Sequence, residues 1–339
     1  MRALQLVNPG RPLELREVRA PELGSDDVAV EVKAAGICRS DVHYRAGYPE
    51  VGPLPLTLGH EVAGLVVEAG VDVAGISPGD RVCVHYQVGC GTCGYCTRDL
   101  GMFCPDGKMI GNGRPGGYAE RIVIPARNVI PVPAAVPLDH AAVMMCSSAT
   151  SLHALRKGRL AAGESVAVFG AGGLGMSAIQ LALIEGAGRV FAVDINPAKL
   201  AAAEAVGALP IDISDDPVKA LRAAGGVDVA LDLVGSAEVM RRCLDSLAPL
   251  GRAVAVGLTP DTFPVGPYTD LVTGESELIG TSDHTAGEIV ELLDLAADGS
   301  FDVSDVVQQV LPLEADAVNR ALDDLESFGD TLRTVINPG

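Results

Sequence analysis

A glycine-rich turn between an apolar strand and an apolar helix constrains the fold of this 339-residue chain more than any other feature. Residues 165–169 form a short apolar run, residues 170–175 read GAGGLG, and residues 176–184 are apolar again. Further short apolar runs alternate with helix-like segments as far as residue 279. This alternation is typical of a parallel sheet whose strands are joined by crossover helices. We therefore predict a doubly wound α/β domain over residues 151–284.

The same turn has the spacing of a dinucleotide-binding loop, G-x-G-x-x-G, in the strand-to-helix context that such a loop requires. Its glycines permit the tight turn, the approach of a pyrophosphate and the close packing of helix on strand. Asp194 ends the next strand, and a carboxylate there can accept hydrogen bonds from both ribose hydroxyls of NAD while repelling the 2′-phosphate of NADP. Lys199 could reach the same ribose, or could be an ordinary solvated helix lysine. The candidate NAD-binding residues here are Gly170, Gly172, Gly173, Leu174, Gly175, Asp194 and Lys199.

The first 150 residues follow a different pattern, with short runs of alternating apolar and polar residues broken by proline and glycine. Such runs, for example residues 28–32 and 62–67, are typical of antiparallel strands joined by loops. The last 55 or so residues mix helix-like and strand-like segments. We predict a β-rich domain formed by residues 1–150 together with residues 285–339.

Four of the eight cysteines fall within 15 residues, at the spacing C-x2-C-x2-C-x7-C. Zn²⁺ favours a tetrahedron of thiolates, and a site with four protein ligands is closed to substrate. An iron–sulfur cluster also takes four cysteines, but the common ferredoxin spacings differ from this one. The cysteines could also form a disulfide pair or be scattered buried thiols. The spacing favours a structural zinc site, with the ligands Cys90, Cys93, Cys96 and Cys104.

Three residues outside that loop, Cys38, His60 and Cys146, are candidate ligands of a second zinc ion, each expected at a break between elements. Two thiolates and an imidazole balance the charge of Zn²⁺ and leave a fourth position for water or substrate. Taken singly, Cys146 could equally be a buried core thiol. Glu61 adjoins His60 and could be an alternate ligand or could orient it. Two further cysteines lie in apolar runs and are expected in the core: Cys83 and Cys243.

The charge of the chain argues against two classes of partner. A formal net charge of -19 would be repelled by nucleic acid and by anionic membranes. No apolar stretch approaches the ~18 residues of a membrane span, and the first residues do not resemble a signal peptide. Cysteines at metal spacing without an export signal fit the reducing cytoplasm. We therefore expect a cytoplasmic protein with a small-molecule partner.

Taken together, these features resemble those of the zinc-dependent medium-chain alcohol dehydrogenases, in particular their short microbial forms. The matching segments are residues 36–41, residues 59–61, the four-cysteine loop, residues 116–120, Cys146 with Thr150, the glycine turn with Asp194, and Arg333. The resemblance implies a GroES-like catalytic domain with both zinc sites, a Rossmann domain with NAD, and a homo-oligomer, either a tetramer or a dimer. Polyol dehydrogenases of the superfamily usually have glutamate in place of the third cysteine, so Cys146 favours the alcohol type.

The family chemistry implied is the reversible oxidation of an alcohol to an aldehyde or ketone, with an alkoxide on the catalytic zinc and hydride transfer to nicotinamide. Ser40 is placed to take the proton of the alcohol, and His43 to pass it to water, although His43 could also be a plain surface histidine. The resemblance also suggests cofactor contacts at Arg39, Thr150, Val256 and Arg333. It suggests a substrate pocket that includes Ser40, Tyr48 and Tyr86.

Two other functional classes stay open. A non-catalytic binding or structural protein on the same fold would have lost zinc ligands or relay residues, and this chain keeps them all. A related zinc oxidoreductase could act instead on a polyol, an iminium or a cyclic alcohol, including one attached to CoA. CoA would favour extra Lys and Arg at the rim of the site, whereas the chain has only 25 of them. The sequence does not identify the substrate.

Overall fold

The computed structural model describes residues 1–339. Contacts divide the chain into two compact units, Met1–Ala149 with Thr285–Gly339, and Thr150–His284. The strands are β1 (Arg2–Leu6), β2 (Glu14–Glu17), β3 (Asp27–Ile37), β4 (Leu56–Thr57), β5 (Glu61–Ala69), β6 (Arg81–Val84), β7 (Gln87–Val88), β8 (Lys108–Met109), β9 (Arg121–Pro125), β10 (Val129–Pro131), β11 (Ser165–Phe169), β12 (Arg189–Asp194), β13 (Leu209–Asp212), β14 (Val227–Asp232), β15 (Leu247–Ala255), β16 (Glu277–Gly280), β17 (Val307–Pro312) and β18 (Arg333–Asn337).

The helices are α1 (Arg39–Ala46), α2 (Leu138–Val143), α3 (Ala149–Lys157), α4 (Gly173–Ile184), α5 (Pro197–Ala205), α6 (Pro217–Ala223), α7 (Ala237–Asp245), α8 (Ala286–Ala297) and α9 (Ala315–Glu326). A π-helical turn, Met144–Ser148, separates α2 from α3, and a second one is Pro267–Val272. None of the helices combines the length and the apolar character that crossing a bilayer requires.

The first unit is built on a seven-stranded sheet with the order β10-β6-β5-β3-β18-β17, and β9 pairs with β3 beside this path. Its longest strand, β3, buries Val28, Val30 and Val32 completely, as the period of two along a strand requires when one face covers a core. β5 runs antiparallel to β3 on one side, and β18 runs antiparallel to it on the other. The segment after residue 285 therefore completes the sheet of the first unit.

This sheet determines where the candidate ligands lie. Gly36, near the end of β3, is opposite Glu61 on β5 and opposite Val335 on β18. Cys38 follows directly after β3, His60 directly precedes β5, and Arg333 begins β18. Because these three strands are neighbours, their ends bring the residues together at one end of the sheet.

The second unit contains a six-stranded sheet with the order β13-β12-β11-β14-β15-β16, in which every neighbouring pair is parallel. Two sets of strands spread outward from the central pair β11 and β14, which is the strand order of a dinucleotide-binding Rossmann domain. All five residues of β11 are buried, as expected of a central strand covered on both faces. The predicted doubly wound α/β domain is confirmed.

Candidate metal centres and nucleotide-binding turn

Four buried side chains of the first unit converge on one point. Cys38, His60, Glu61 and Cys146 each offer a ligand atom, and these atoms all lie within 4.8 Å of one another. The Sγ atoms of Cys38 and Cys146 are 3.9 Å apart. Two thiolates bound tetrahedrally to one zinc ion at the usual bond length would be separated by about 3.8 Å. The sulfur spacing therefore fits a shared metal ion.

The third ligand of the predicted set is positioned by an unusual helical turn. Cys146 does not lie in a loop, as its expected place at a break between elements suggested, but in the π-helical turn Met144–Ser148. π-turns interrupt α-helices at functional sites more often than elsewhere, because the wider turn re-aims a side chain. The chain stays helical here, but its hydrogen bonding changes from the α to the π pattern. In this turn the Cys146 thiol points toward Cys38.

The buried imidazole of His60 is the strongest evidence for a bound metal ion. The residue is completely buried, and neither ring nitrogen has a hydrogen-bond partner. Nδ1 lies 3.3 Å from Oδ1 of Asp41, which is an ion-pair distance with an angle unsuited to a hydrogen bond. Buried polar atoms normally have partners, so the remaining nitrogen, Nε2, is expected to bind a group supplied from outside the chain. A metal ion between the two cysteines satisfies that requirement.

The surroundings of the Cys38 and Cys146 thiols change their acidity in opposite directions. A hydrogen bond from Cys146 lowers the pKa of Cys38 well below its ordinary value, with further help from His60 and Arg333 against the effect of burial. The same hydrogen bond, together with burial, raises the pKa of Cys146. Cys38 is therefore the more acidic of the two thiols. A divalent ion would displace the proton of each thiol that it binds, since cysteine binds metals as the thiolate.

Glu61 has a partner that the sequence did not reveal. Its carboxylate forms an ion pair with the guanidinium of Arg333, and both side chains are buried. Burial raises the pKa of Glu61, and the Arg333 guanidinium opposes that rise and favours the charged carboxylate. A Cβ atom at Gly36 would overlap the carboxylate, so the glycine is needed for this pair to form. Arg333 was predicted to pair with a pyrophosphate, and within the first unit its partner is Glu61.

The candidate relay residues lie on α1, close to the metal ligands. Ser40 Oγ is 3.8 Å from Cys38 Sγ. His43 follows Ser40 by three residues, so the two side chains are neighbours on one face of the helix. Burial and the neighbouring Arg39 lower the pKa of His43, while Cys38 and Glu326 oppose the shift.

Three further residues of the first unit were predicted to contact the cofactor or the substrate, and their surroundings differ. Arg39 lies with its guanidinium 4.0 Å above the ring of Phe328, and its Nη1 donates to the carbonyl of Leu325. Tyr86 is buried, and its ring meets His60 edge-on at a centroid distance of 5.5 Å. Tyr48 is 42% exposed. The structure thus brings Tyr86 to the candidate metal centre but gives no such contact for Tyr48.

Two buried residues near the site were not predicted from the sequence. The backbone N–H of Cys38 and the hydroxyl of Tyr118 both donate to Oδ2 of Asp41, at 2.9 and 2.8 Å. Asp41 and Tyr118 belong to segments 36–41 and 116–120, which carried the family resemblance. A carboxylate three residues from a candidate ligand was the available signal for Asp41. No local signal pointed to Tyr118.

The four-cysteine loop forms a second cluster of ligand atoms. Its sulfurs lie within 4.8 Å of one another, and every cysteine of the chain is a free thiol. The backbone N–H groups of Cys90 and Cys93 donate to the sulfurs of Cys104 and Cys90, at 3.3 Å each. Hydrogen bonds from the backbone at Thr92 and Cys93 lower the pKa of Cys90 to about 6. Hydrogen bonding from the backbone of Cys96 also lowers the pKa of Cys93, whereas desolvation raises the pKa of Cys96 to about 11. The convergence of the four sulfurs is what fits a zinc site.

The glycine turn of the second unit has the shape that its sequence predicts. Gly170 has a φ of +97°, and its N–H donates to the carbonyl of Val193 at 2.8 Å. A Cβ atom at Gly175 would overlap the carbonyl of Gly170, which explains the close packing of helix and strand. A Cβ atom at Gly172 would meet nothing, so the backbone is open there, where α4 begins. This helix N-terminus is suited to bind a phosphate group.

Asp194 lies directly beside this turn. Its Oδ2 accepts the N–H of Ala171 at 2.7 Å, and its Oδ1 accepts the N–H of Asn196 at 2.9 Å. Lys199, on α5, is only 8% exposed, so it is not an ordinary solvated helix lysine. Thr150 lies on α3, and Val256 follows β15, where its N–H donates to the carbonyl of Asp232. The nucleotide-binding roles of these residues stay predictions.

Comparisons with known proteins agree with this geometry. Residues 24–134 match the alcohol dehydrogenase GroES-like domain, and residues 173–298 match the zinc-binding dehydrogenase domain. The chain is 33% identical to an NAD-dependent alcohol dehydrogenase of Sulfurisphaera tokodaii, over 100% of both chains. It is 34% identical to an alcohol dehydrogenase of Geobacillus stearothermophilus, over 93% of each. The solved alcohol dehydrogenase of Aeropyrum pernix superimposes with a TM-score of 0.92 at 32% identity, covering 100% of both chains.

The first domain match lies within the first unit of the structure, and the second covers most of the second unit and extends to residue 298. The first unit is a GroES-like β-rich domain, and the second is a Rossmann domain, so the predicted fold class is confirmed for both. The similarity to the named relatives extends over the whole chain and is not limited to the metal-binding segments. The protein therefore belongs to the family of zinc-dependent medium-chain dehydrogenases.

Proposed function

We propose that the protein catalyses the reversible oxidation of an alcohol to an aldehyde or ketone, with NAD as the hydride acceptor. The observation that carries this proposal is the convergence of Cys38, His60 and Cys146, together with the partnerless nitrogen of a completely buried imidazole. Three protein ligands leave one position open, which distinguishes a catalytic zinc site from a structural one. Relatives that align over the whole chain carry the name alcohol dehydrogenase.

Cys38, His60 and Cys146 would hold the catalytic zinc ion, and Glu61 would serve as an alternate ligand. The four-cysteine loop would hold a second, structural zinc ion. When bound, the catalytic zinc supplies a Lewis acid that lowers the pKa of a hydroxyl group, and NAD supplies the two-electron acceptor. The negative charge of the two thiolates would balance that of the cation, which lowers the cost of burying the ion.

The chain itself moves the proton. Ser40 Oγ, 3.8 Å from a candidate ligand, would accept the hydroxyl proton of the substrate while it releases its own proton toward His43. His43, one helical turn further along α1, passes it to water. An imidazole suits this role because it exchanges protons near neutral pH. The lowered pKa of His43 keeps it neutral, and therefore able to accept a proton, at physiological pH.

The second unit binds the cofactor in this proposal. The pyrophosphate would lie at the start of α4, where the backbone at Gly172 is open. Asp194 would bind the adenosine ribose and select NAD over NADP. Arg39, Thr150, Lys199, Val256 and Arg333 complete the proposed cofactor contacts.

The substrate pocket would be formed by residues beside the metal ligands. Tyr86 and Ser40 lie near the metal ligands and would border the alcohol, with Tyr48 as a further proposed pocket residue. The resemblance to short microbial enzymes supports a homo-oligomer, a tetramer or a dimer, that works in the cytoplasm.

Metal analysis and a substrate panel test the proposal together. The purified protein is expected to contain two zinc ions per chain and to produce NADH from NAD and at least one primary, secondary, aryl or cyclic alcohol. Cys146→Ser should lose one zinc ion and reduce kcat/KM by about 100-fold or more. Cys83→Ser is the matched control, because this buried thiol donates to the carbonyl of Ile130 and belongs to neither cluster of candidate ligands. Normal activity in Cys146→Ser would contradict the proposed function.

A further inference from the structure

Asp41 is a fully buried carboxylate beside the candidate catalytic metal centre, and it is not itself a proposed ligand. One of its oxygens, Oδ2, accepts the N–H of Cys38 and the hydroxyl of Tyr118. The other, Oδ1, lies 3.3 Å from Nδ1 of His60. A buried charge is costly unless donors satisfy it, so these contacts determine where the carboxylate sits. Through it, the hydroxyl of Tyr118 is connected to the imidazole.

Tyr118 is held firmly in place. It is completely buried, and its backbone N–H donates to the carbonyl of Leu58 at 2.9 Å, just before His60 in the chain. The preceding residue, Gly117, donates its N–H to the carbonyl of Gly59 at 2.8 Å. The segment that carries Tyr118 is thus bonded to the segment that carries His60. Burial and the nearby Asp41 raise the pKa of Tyr118, so its hydroxyl stays protonated and donates.

Two glycines make room for the tyrosine ring. Gly59 has a φ of +92°, and a Cβ atom there would overlap the ring of Tyr118. A Cβ atom at Gly116 would overlap the carbonyl of Gly59. These glycines stand in the segments 59–61 and 116–120, and no step of the proposed reaction uses them. If the ring of Tyr118 must lie against Gly59 to reach Asp41, both positions have to be glycine, because a side chain at either one would block this packing.

We propose that Tyr118 is a positioning residue of the catalytic metal centre: its hydroxyl fixes Asp41, and Asp41 fixes the ring of His60 so that Nε2 faces the metal. Partners that hold the second nitrogen of a metal-bound histidine set its orientation and its strength as a ligand. Tyr118 extends this support through its hydrogen bond to the other oxygen of Asp41. The inference rests on the proposed function, because it assumes that His60 binds the catalytic zinc.

The test is Tyr118→Phe, which removes one oxygen atom and keeps the ring. Removing an outer partner of a metal ligand typically weakens metal binding by about 10- to 100-fold, so an effect of about 3- to 10-fold is expected one bond further away. Zinc release from the intact protein to a coloured chelator should be faster by that factor for one of the two zinc ions only. The visible absorption of the cobalt-substituted protein should also shift, since it reports ligand geometry at the metal.

The matched control is Tyr44→Phe. Tyr44 is also buried, its ring lies 6.1 Å from that of His60, and its hydroxyl donates to Met109 Sδ at 3.4 Å. This variant removes a buried hydroxyl near the histidine without touching Asp41. It should release zinc and absorb light as the wild type does. An equal change in both tyrosine variants would overturn the proposal.

A double-mutant cycle with Asp41→Ala separates positioning from general destabilisation. If Tyr118 acts through Asp41, adding Tyr118→Phe to Asp41→Ala should change zinc release little further, because Asp41→Ala already removes the acceptor of the Tyr118 hydroxyl. Effects that multiply in the double variant would overturn the proposal. These measurements need no alcohol and no NAD. A wild-type protein that holds zinc but oxidises no alcohol would instead count against the proposed function.

Discussion

The carboxylate of Glu61 and the guanidinium of Arg333 form a buried ion pair that passes over Gly36 of β3. The two residues are 272 positions apart in sequence, on the strands that flank β3 on either side. Gly36 is opposite Glu61 in the sheet and lacks the side chain that would block the contact. The pair therefore ties the C-terminal strand to the wall of the candidate metal centre.

Breaking this pair should destabilise the first unit. Arg333→Met leaves the buried Glu61 carboxylate without its cation, and the loss of one partner of a buried pair costs about 3 kcal/mol or more. We expect a clearly lower thermal midpoint for Arg333→Met, measured by circular dichroism. Glu61→Gln combined with Arg333→Met should recover part of the loss, because no unpaired charge remains. A single variant as stable as the wild type would show that the pair does not stabilise the fold.

Ser40 offers a test of the proton path. Ser40→Ala removes the hydroxyl that we propose as the acceptor of the substrate proton, so turnover should fall by roughly 100-fold. Zinc content should stay at that of the wild type, because Ser40 is not a proposed ligand. Ser40→Thr keeps a hydroxyl and should retain most of the activity. Steady-state NADH production and metal analysis on the same samples distinguish a lost proton acceptor from a damaged site.

The pH dependence of turnover should report His43. The residue accepts a proton only in its neutral form, so its contribution is present above its pKa and is lost as the pH falls through it. Because burial and Arg39 lower this pKa, the loss should begin below the ordinary value of about 6.5.

His43→Ala should therefore be slower than the wild type at neutral pH, by roughly 10-fold, and should approach it at alkaline pH, where hydroxide can take the proton. Added imidazole should restore part of the rate. Identical pH–rate profiles for variant and wild type would remove His43 from the relay.

Asp194 should control the choice of cofactor. Asp194→Asn keeps the size of the side chain and an oxygen that can accept a backbone N–H, but it removes the charge that repels a 2′-phosphate. The ratio of kcat/KM for NAD to that for NADP should fall about tenfold, equivalent to about 1.4 kcal/mol.

Asp194→Gly should show at least the same fall, with an added loss of stability because Ala171 and Asn196 lose their acceptor. A wild-type enzyme that prefers NADP would contradict the role given to the carboxylate.

Much of the second unit could be predicted from sequence because its strands are buried and continuous. The run at residues 165–169 becomes β11, whose five residues are all buried, and the glycine turn follows it directly. β13 could not be predicted in the same way. It is a partly exposed edge strand that contains Pro210, and proline occurs in strands mainly at such edges.

The candidate metal ligands could be proposed from residue type and motif, but their supporting partners could not. Tyr118 and Asp41 are 77 residues apart, and no local pattern indicates that one hydroxyl points at one carboxylate. The same applies to the ion pair between Arg333 and Glu61, which lie 272 positions apart. The π-turn at Cys146 also left no sequence signal, because nothing in its residues, MMCSS, distinguishes a π-turn from an ordinary buried helical turn. Such contacts arise only when distant segments pack together.

The place of β18 in the central sheet has a consequence for biosynthesis. Thr334 of β18 pairs with Ile37 of β3, about 300 residues earlier in the chain. While the ribosome is still translating the intervening residues, the end of β3 at residues 35–37 has no neighbour on this side, where β9 pairs only with residues 27–31, and Glu61 has no cation. Domains generally fold as units while the chain emerges, yet here the first domain to begin is the last to be completed. The nascent chain can therefore assemble its second domain before the metal-binding domain is closed.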